Sequence, residues 1–121
     1  MSDHSCDSVV ITCIDFRFQD YINKWIAENF PVRSFDRVAL AGGVFDSDYV
    51  FKQVEISKRL HHIKKVVLIN HEDCGAYGEA GTAEKHAEDL QNAAAKIKEQ
   101  YPDLEIKAYC LLLDGTFKSI P

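Results

Sequence analysis

No apolar run in this chain exceeds about six residues, far short of the roughly 20 that a membrane-spanning helix requires. Excess positive charge is missing too. Lys and Arg number 14 against 19 Asp and Glu, and the formal charge of −5 offers no cationic surface for nucleic acid or anionic lipid. With three prolines and six glycines there is no Pro/Gly-rich linker, and we find neither an internal repeat nor a low-complexity tract. The opening Met1-Ser2-Asp3-His4-Ser5 is polar and lacks the layout of a secretory signal. Cysteines are few, at four, and a cytoplasmic location is expected, where paired cysteines serve metals or catalysis rather than disulfides. What is left is a chain of 121 residues, 46% hydrophobic, expected to form one soluble domain over residues 1–121.

The hydrophobic pattern alternates between two periods. Ser8 to Cys13 is β-branched and nearly all apolar, as in a strand covered on both faces. Asp20 to Phe30 places Ile22, Trp25, Ile26 and Phe30 at helical spacing and is stopped by Pro31. Arg37 to Ala41 reads as a second strand, Asp48 to His62 as a helix, and Lys64 to Asn70 as a third strand. Ala83 to Gln100 reads as a helix closed by Pro102, and Leu104 to Leu113 as a fourth strand. Strand and helix in alternation predict an α/β fold, a four-stranded, mainly parallel sheet with helices on both faces. In such sheets ligands bind at the carboxyl ends of the strands, where the strand order reverses.

Three segments with chemical content fall at those carboxyl ends: Cys13-Ile14-Asp15-Phe16-Arg17 after the first strand, Ala41-Gly42-Gly43 after the second, and His71-Glu72-Asp73-Cys74-Gly75 after the third. Cys13, His71 and Cys74 supply two thiolates and one imidazole, a donor set that suits tetrahedral Zn²⁺ and leaves a fourth position open. Gly42 and Gly43 are expected to let backbone approach the substrate site closely. Asp15 and Arg17, taken alone, read as an ion pair at a strand end. Cys110, in an apolar run, reads as a small buried hydrophobe; Cys6 reads as exposed, and His61, His62 and His86 as surface histidines. Glu72 and Asp73 are expected to be solvated or to support the metal ligands.

Cys13-x-Asp15-x-Arg17, then Ala41-Gly42-Gly43, then His71-x-x-Cys74-Gly75 resembles the β-class carbonic anhydrases, in order and in separation, across roughly residues 8–113. The resemblance implies zinc held by Cys13, His71 and Cys74, Asp15 and Arg17 as a catalytic dyad, and a homodimer or higher homo-oligomer. The implied reaction is reversible hydration of carbon dioxide to bicarbonate by zinc-bound hydroxide. Asp15 would accept a hydrogen bond from that hydroxide while Arg17 restrains Asp15; released by Arg17, Asp15 could become a fourth ligand. Relatives of this fold also suggest a hydrolase of carbon disulfide or carbonyl sulfide, or a non-catalytic zinc-binding regulatory module. Phe16 and Gly43 depart from the class pattern, as does the short run of about seven residues before the first strand.

Overall fold

Strand formation begins where β-branched side chains are densest. In the computed structural model, which describes residues 4–121, Ser8–Cys13 is β1 and all six of its residues are buried. A strand hidden on both faces needs a layer of helix on each side. The remaining elements supply it: α1 (Gln19–Asn29), β2 (Phe35–Leu40), α2 (Ser47–His61), β3 (Lys65–His71), α3 (Ala83–Gln100), β4 (Glu105–Leu111) and β5 (Phe117–Ile120). The sheet runs β2-β1-β3-β4-β5, parallel through β4, with β5 antiparallel to β4 at the edge.

The α/β class with helices on both faces is as expected, but the sheet has five strands rather than four. The extra strand follows a tight turn at Asp114-Gly115. There Gly115, at φ +91°, donates to the Leu112 carbonyl (2.9 Å), and Leu112 donates to Thr116 (2.8 Å). Four residues are too few for the two-residue period to show in β5. The Asp-Gly turn was the available signal.

Helix starts are set by side-chain caps. Asp46 accepts from the Tyr49 N–H ahead of α2, and Thr82 from the Lys85 N–H ahead of α3, both at 3.1 Å. Pro31 and Pro102 follow the ends of α1 and α3, where a missing N–H does no harm.

One face of the sheet packs Val9, Ile11, Val66 and Leu68 against Val50 and Val54 of α2 and Leu90 and Ile97 of α3. The other packs Val10, Val67 and Ile69 against Phe18, Ile22 and Ile26 of the α1 side. Each such side chain contributes about 1.5–3 kcal/mol when fully removed from water. No helix among the described residues is long and apolar enough to cross a membrane. From β1 the chain goes to one side for β2 and then to the other for β3, so the order reverses at β1 and β3. The crevice at their carboxyl ends is the place such a sheet offers a ligand.

Candidate metal centre

That crevice holds the donors the motifs predicted. Cys13 is the last residue of β1, His71 the last of β3, and Cys74 sits in the turn that follows. All three are buried, and their ligand atoms lie within 4.8 Å of one another. The two sulfurs are 4.0 Å apart. Two thiolates on a tetrahedral ion with Zn–S of about 2.3 Å would be about 3.8 Å apart, so the pair is almost pre-set for zinc. The His71 ring has its Nδ1 2.7 Å from the Glu72 carbonyl, which can only accept, so Nδ1 carries the proton. Nε2 is thereby left as an acceptor, and it is buried with no hydrogen-bond partner. A buried orphan nitrogen beside two sulfurs is costly unless a cation occupies the space between them. The donors fit a zinc ion.

Electrostatics within the trio point the same way. Burial pushes the Cys13 thiol up, but His71 and the Gly42 N–H, 3.3 Å from its sulfur, more than offset this and bring it down to about 7. Burial works against a charged His71, yet the Cys13 sulfur and the Glu72 carbonyl raise its pKa overall. Cys74 is pushed up by burial and by Cys13, despite the amides of Ala76 and Tyr77. One sulfur is thus readily ionised, while the other yields its proton only to a stronger Lewis acid. Metal uptake at such a cluster would release protons.

Beside the trio lies the Asp15–Arg17 pair. Asp15 Oδ1 accepts from the Arg17 backbone N–H (2.9 Å) and from Nε (3.1 Å), and Oδ2 accepts from Nη2 (2.7 Å). Held by these contacts, the Asp15 carboxyl stays down at about 2. Its Oδ2 is also 3.8 Å from His71 Nε2, so the carboxylate borders the cluster. The same Asp15 side chain caps the short 3-10 turn Phe16–Phe18. Gln19 fixes the loop from below, donating to the carbonyls of Cys13 (3.1 Å) and Asp15 (2.8 Å).

Several residues here were not singled out by the motifs. Asp73, expected only as solvated or supporting, accepts from Arg17 Nη1 (3.0 Å) through its carboxylate and from Nη2 (2.9 Å) through its carbonyl. It does so at φ +57°, a left-handed conformation that Asp tolerates better than most. Glu72 accepts from the Leu113 N–H at 2.8 Å and ties the loop to the end of β4. Gly42 and Gly43 lie against the cluster. Gly42, at φ +87°, presents its N–H to Cys13, and a Cβ on Gly43 would strike Asn70 Oδ1, which accepts from the Val44 N–H (3.0 Å). Asn70 in turn donates to Tyr77 (3.0 Å) and meets His86 Nδ1 (2.9 Å), and Tyr77 donates to Asp89 (2.8 Å).

Three expectations for lone residues need correcting. His86 is not on the surface: it is 1% exposed, because α3 turns it inward toward Asn70 and Tyr77. His61 is half-buried and bonded to Asp36, and Cys6 is half-buried beside them rather than exposed. Cys110 is buried, as expected.

The fold is a mainly parallel α/β sheet with a buried Cys–His–Cys cluster, able to hold a metal ion, at its switch point. The chain belongs to the carbonic anhydrase family: residues 3–120 match the family described as "Putative carbonic anhydrase". An uncharacterized protein of Rickettsia conorii is 30% identical, over 97% of this chain and 73% of its own length. Among solved structures, a carbonic anhydrase from Glaciozyma antarctica superposes with a TM-score of 0.73 at 18% identity, covering 100% of this chain and 85% of that one. A β-carbonic anhydrase from Trichomonas vaginalis gives 0.72 at 13% identity, covering 99% and 86%. A carbon disulfide hydrolase gives 0.60 at 17% identity, covering 92% and 76%. These likenesses establish the shared β-carbonic-anhydrase fold.

Proposed function

We propose that this chain is a β-class carbonic anhydrase that reversibly hydrates carbon dioxide to bicarbonate, with zinc held by Cys13, His71 and Cys74. The observation that supports it best is the buried Cys–His–Cys cluster with an ionised, Arg-held carboxylate at its edge. Zinc in such a site would supply a nucleophile at neutral pH by lowering the pKa of the water it holds from 15.7 toward 7.

The chain's own residues then orient and protect that chemistry. Asp15, kept ionised by Arg17, accepts a hydrogen bond from the nucleophile and aims its lone pair at the carbon. Arg17 is itself anchored on Asp73, so the carboxylate cannot swing freely into the cluster. The Gly42 N–H draws charge from the Cys13 sulfur, which would leave an ion held there a better Lewis acid than two bare thiolates allow. Around the mouth, Ile14, Phe16, Phe45 and Leu113 are exposed. Burying that apolar rim against a second copy would give a homodimer and a dry path suited to an apolar substrate.

The fold shared with a carbon disulfide hydrolase supports a second reading, hydrolysis of carbon disulfide or carbonyl sulfide by the same attack on a linear carbon centre. Stopped-flow hydration of carbon dioxide by the zinc-loaded protein at pH 7 and 8.5 decides between them. Hydration at either pH, reduced by about 100-fold in Asp15→Ala with zinc retained, is the expected result. No hydration but turnover of carbon disulfide favours the second reading. Zinc bound with neither activity leaves a regulatory module.

A further inference from the structure

The opposite end of the sheet carries a second set of metal donors that the reaction does not use. Cys6 precedes β1, Asp36 is the second residue of β2, and His61 is the last residue of α2. Their ligand atoms lie within 4.8 Å of one another, although the residues are up to 55 positions apart (61 minus 6). His61 Nδ1 is 2.7 Å from Asp36 Oδ2 and 2.9 Å from Oδ1. Buried Ser57 donates to the same carboxylate at 2.5 Å, the kind of outer support that fixes a metal-binding carboxylate. The Cys6 N–H donates to the His61 carbonyl at 3.0 Å, which locks the segment before β1 onto the end of α2. The His4 ring packs on the His61 ring, with centroids 4.9 Å apart, and covers one side of the cluster.

The chemistry of this group is that of a cation site. A thiol and a carboxylate packed together repel once both ionise; burial and the neighbouring Asp36 push the Cys6 thiol up accordingly. A dication removes the conflict, because one thiolate and one carboxylate balance its charge and a neutral imidazole adds a third bond. We propose that Cys6, Asp36 and His61 form a second site for a thiophilic divalent cation such as zinc, with the fourth position left to water. Binding forms bonds from the ion to Cys6 Sγ, an Asp36 oxygen and His61 Nδ1. The thiol proton goes to solvent, and the imidazole proton that Nδ1 donates to Asp36 moves through solvent to Nε2, which breaks that hydrogen bond and frees Nδ1 to bind; no electron transfer is involved.

Cobalt(II) is the probe, because thiolate ligation gives it a near-ultraviolet charge-transfer band. The full-length, metal-free protein is loaded with cobalt, gel-filtered and assayed for ions per chain. Two ions are expected in the unmodified protein, and one in Cys74→Ser. One ion is also expected in Cys6→Ser and in His61→Ala, two changes at half-buried positions whose folding is checked by circular dichroism. In Cys6→Ser the charge-transfer band should fall to the share of the Cys13–Cys74 site alone. One ion per chain in the unmodified protein that Cys6→Ser retains overturns the proposal, as do two ions persisting in both Cys6→Ser and His61→Ala. A Cys6→Ser protein holding no ion would instead refute the Cys13–His71–Cys74 site, so the two readings fail separately.

Discussion

The two ends of the sheet hold similar donors in different settings. At the carboxyl end Cys13, His71 and Cys74 are buried, and His71 Nε2 has no partner. At the amino end Cys6, Asp36 and His61 are half-buried, and Asp36 and His61 already satisfy each other. The cause lies in the parallel topology. Adjacent β1 and β3 end together, so residues at their termini converge under the loops that follow, while the amino ends are met by helix C-termini and open segments. A buried site with an orphan donor gains the full benefit of an ion. A half-exposed site must first break a hydrogen bond of its own, and would exchange an ion more readily.

The contrast can be sharpened by loosening each end in turn. The largest effect is expected from Gly43→Ala. A side chain there is strained at φ +59° and collides with Asn70, so urea denaturation should show a loss of about 3 kcal/mol, and carboxyl-end zinc affinity should fall with it. A loss under about 1 kcal/mol would show that the loop yields freely. Next comes acid sensitivity through His86, whose pKa is lowered chiefly by burial and secondarily by His71. Unfolded, this imidazole takes up a proton near pH 6.5, whereas folded it resists until lower pH. The unfolded chain therefore binds more protons in that window, and stability falls as pH drops below about 6.5, by up to about 1.4 kcal/mol per pH unit. Urea midpoints at pH 7.5, 6.5 and 5.5 should show a shallower decline in His86→Gln; an unchanged slope would mean that other groups govern it. Smallest is Ser57→Ala at the amino end, expected to cost about 1 kcal/mol through one lost hydrogen bond to Asp36. Equal losses for Gly43→Ala and Ser57→Ala in the same urea series would erase the difference between the ends.

Much of this was legible in the chain. Apolar runs as dense as Val9-Val10-Ile11 and Val66-Val67-Leu68-Ile69 announce covered strands, and parallel order follows from their alternation with helices. Knowing where strands end puts Cys13, His71 and Cys74 in one crevice. The rest depends on contacts that local pattern does not encode. His86 lies on an amphipathic helix, and only the rotation of α3 against Asn70 and Tyr77 decides that it faces inward. The pairing of Asp36 with His61 depends on the register that sets Asp36 opposite Val9 and on the point where α2 stops. Asp73 looked like a solvated acid because its partner, Arg17, lies 56 residues earlier. β5 was too short to carry a period.

One continuous element joins the two clusters. From Cys6 through β1 to Cys13 the chain is extended for most of its seven steps, roughly 23 Å at about 3.3 Å per residue. Over that distance a pair of unit charges interacts by only about 0.7 kcal/mol at an effective dielectric of about 20, before salt screens it further. Filled, the amino-end site is also close to electrically neutral, with one thiolate and one carboxylate against a dication. The strand therefore insulates as well as connects: with ions at both ends, each site would set its own affinity, and loading one is expected to leave the other's isotherm where it was.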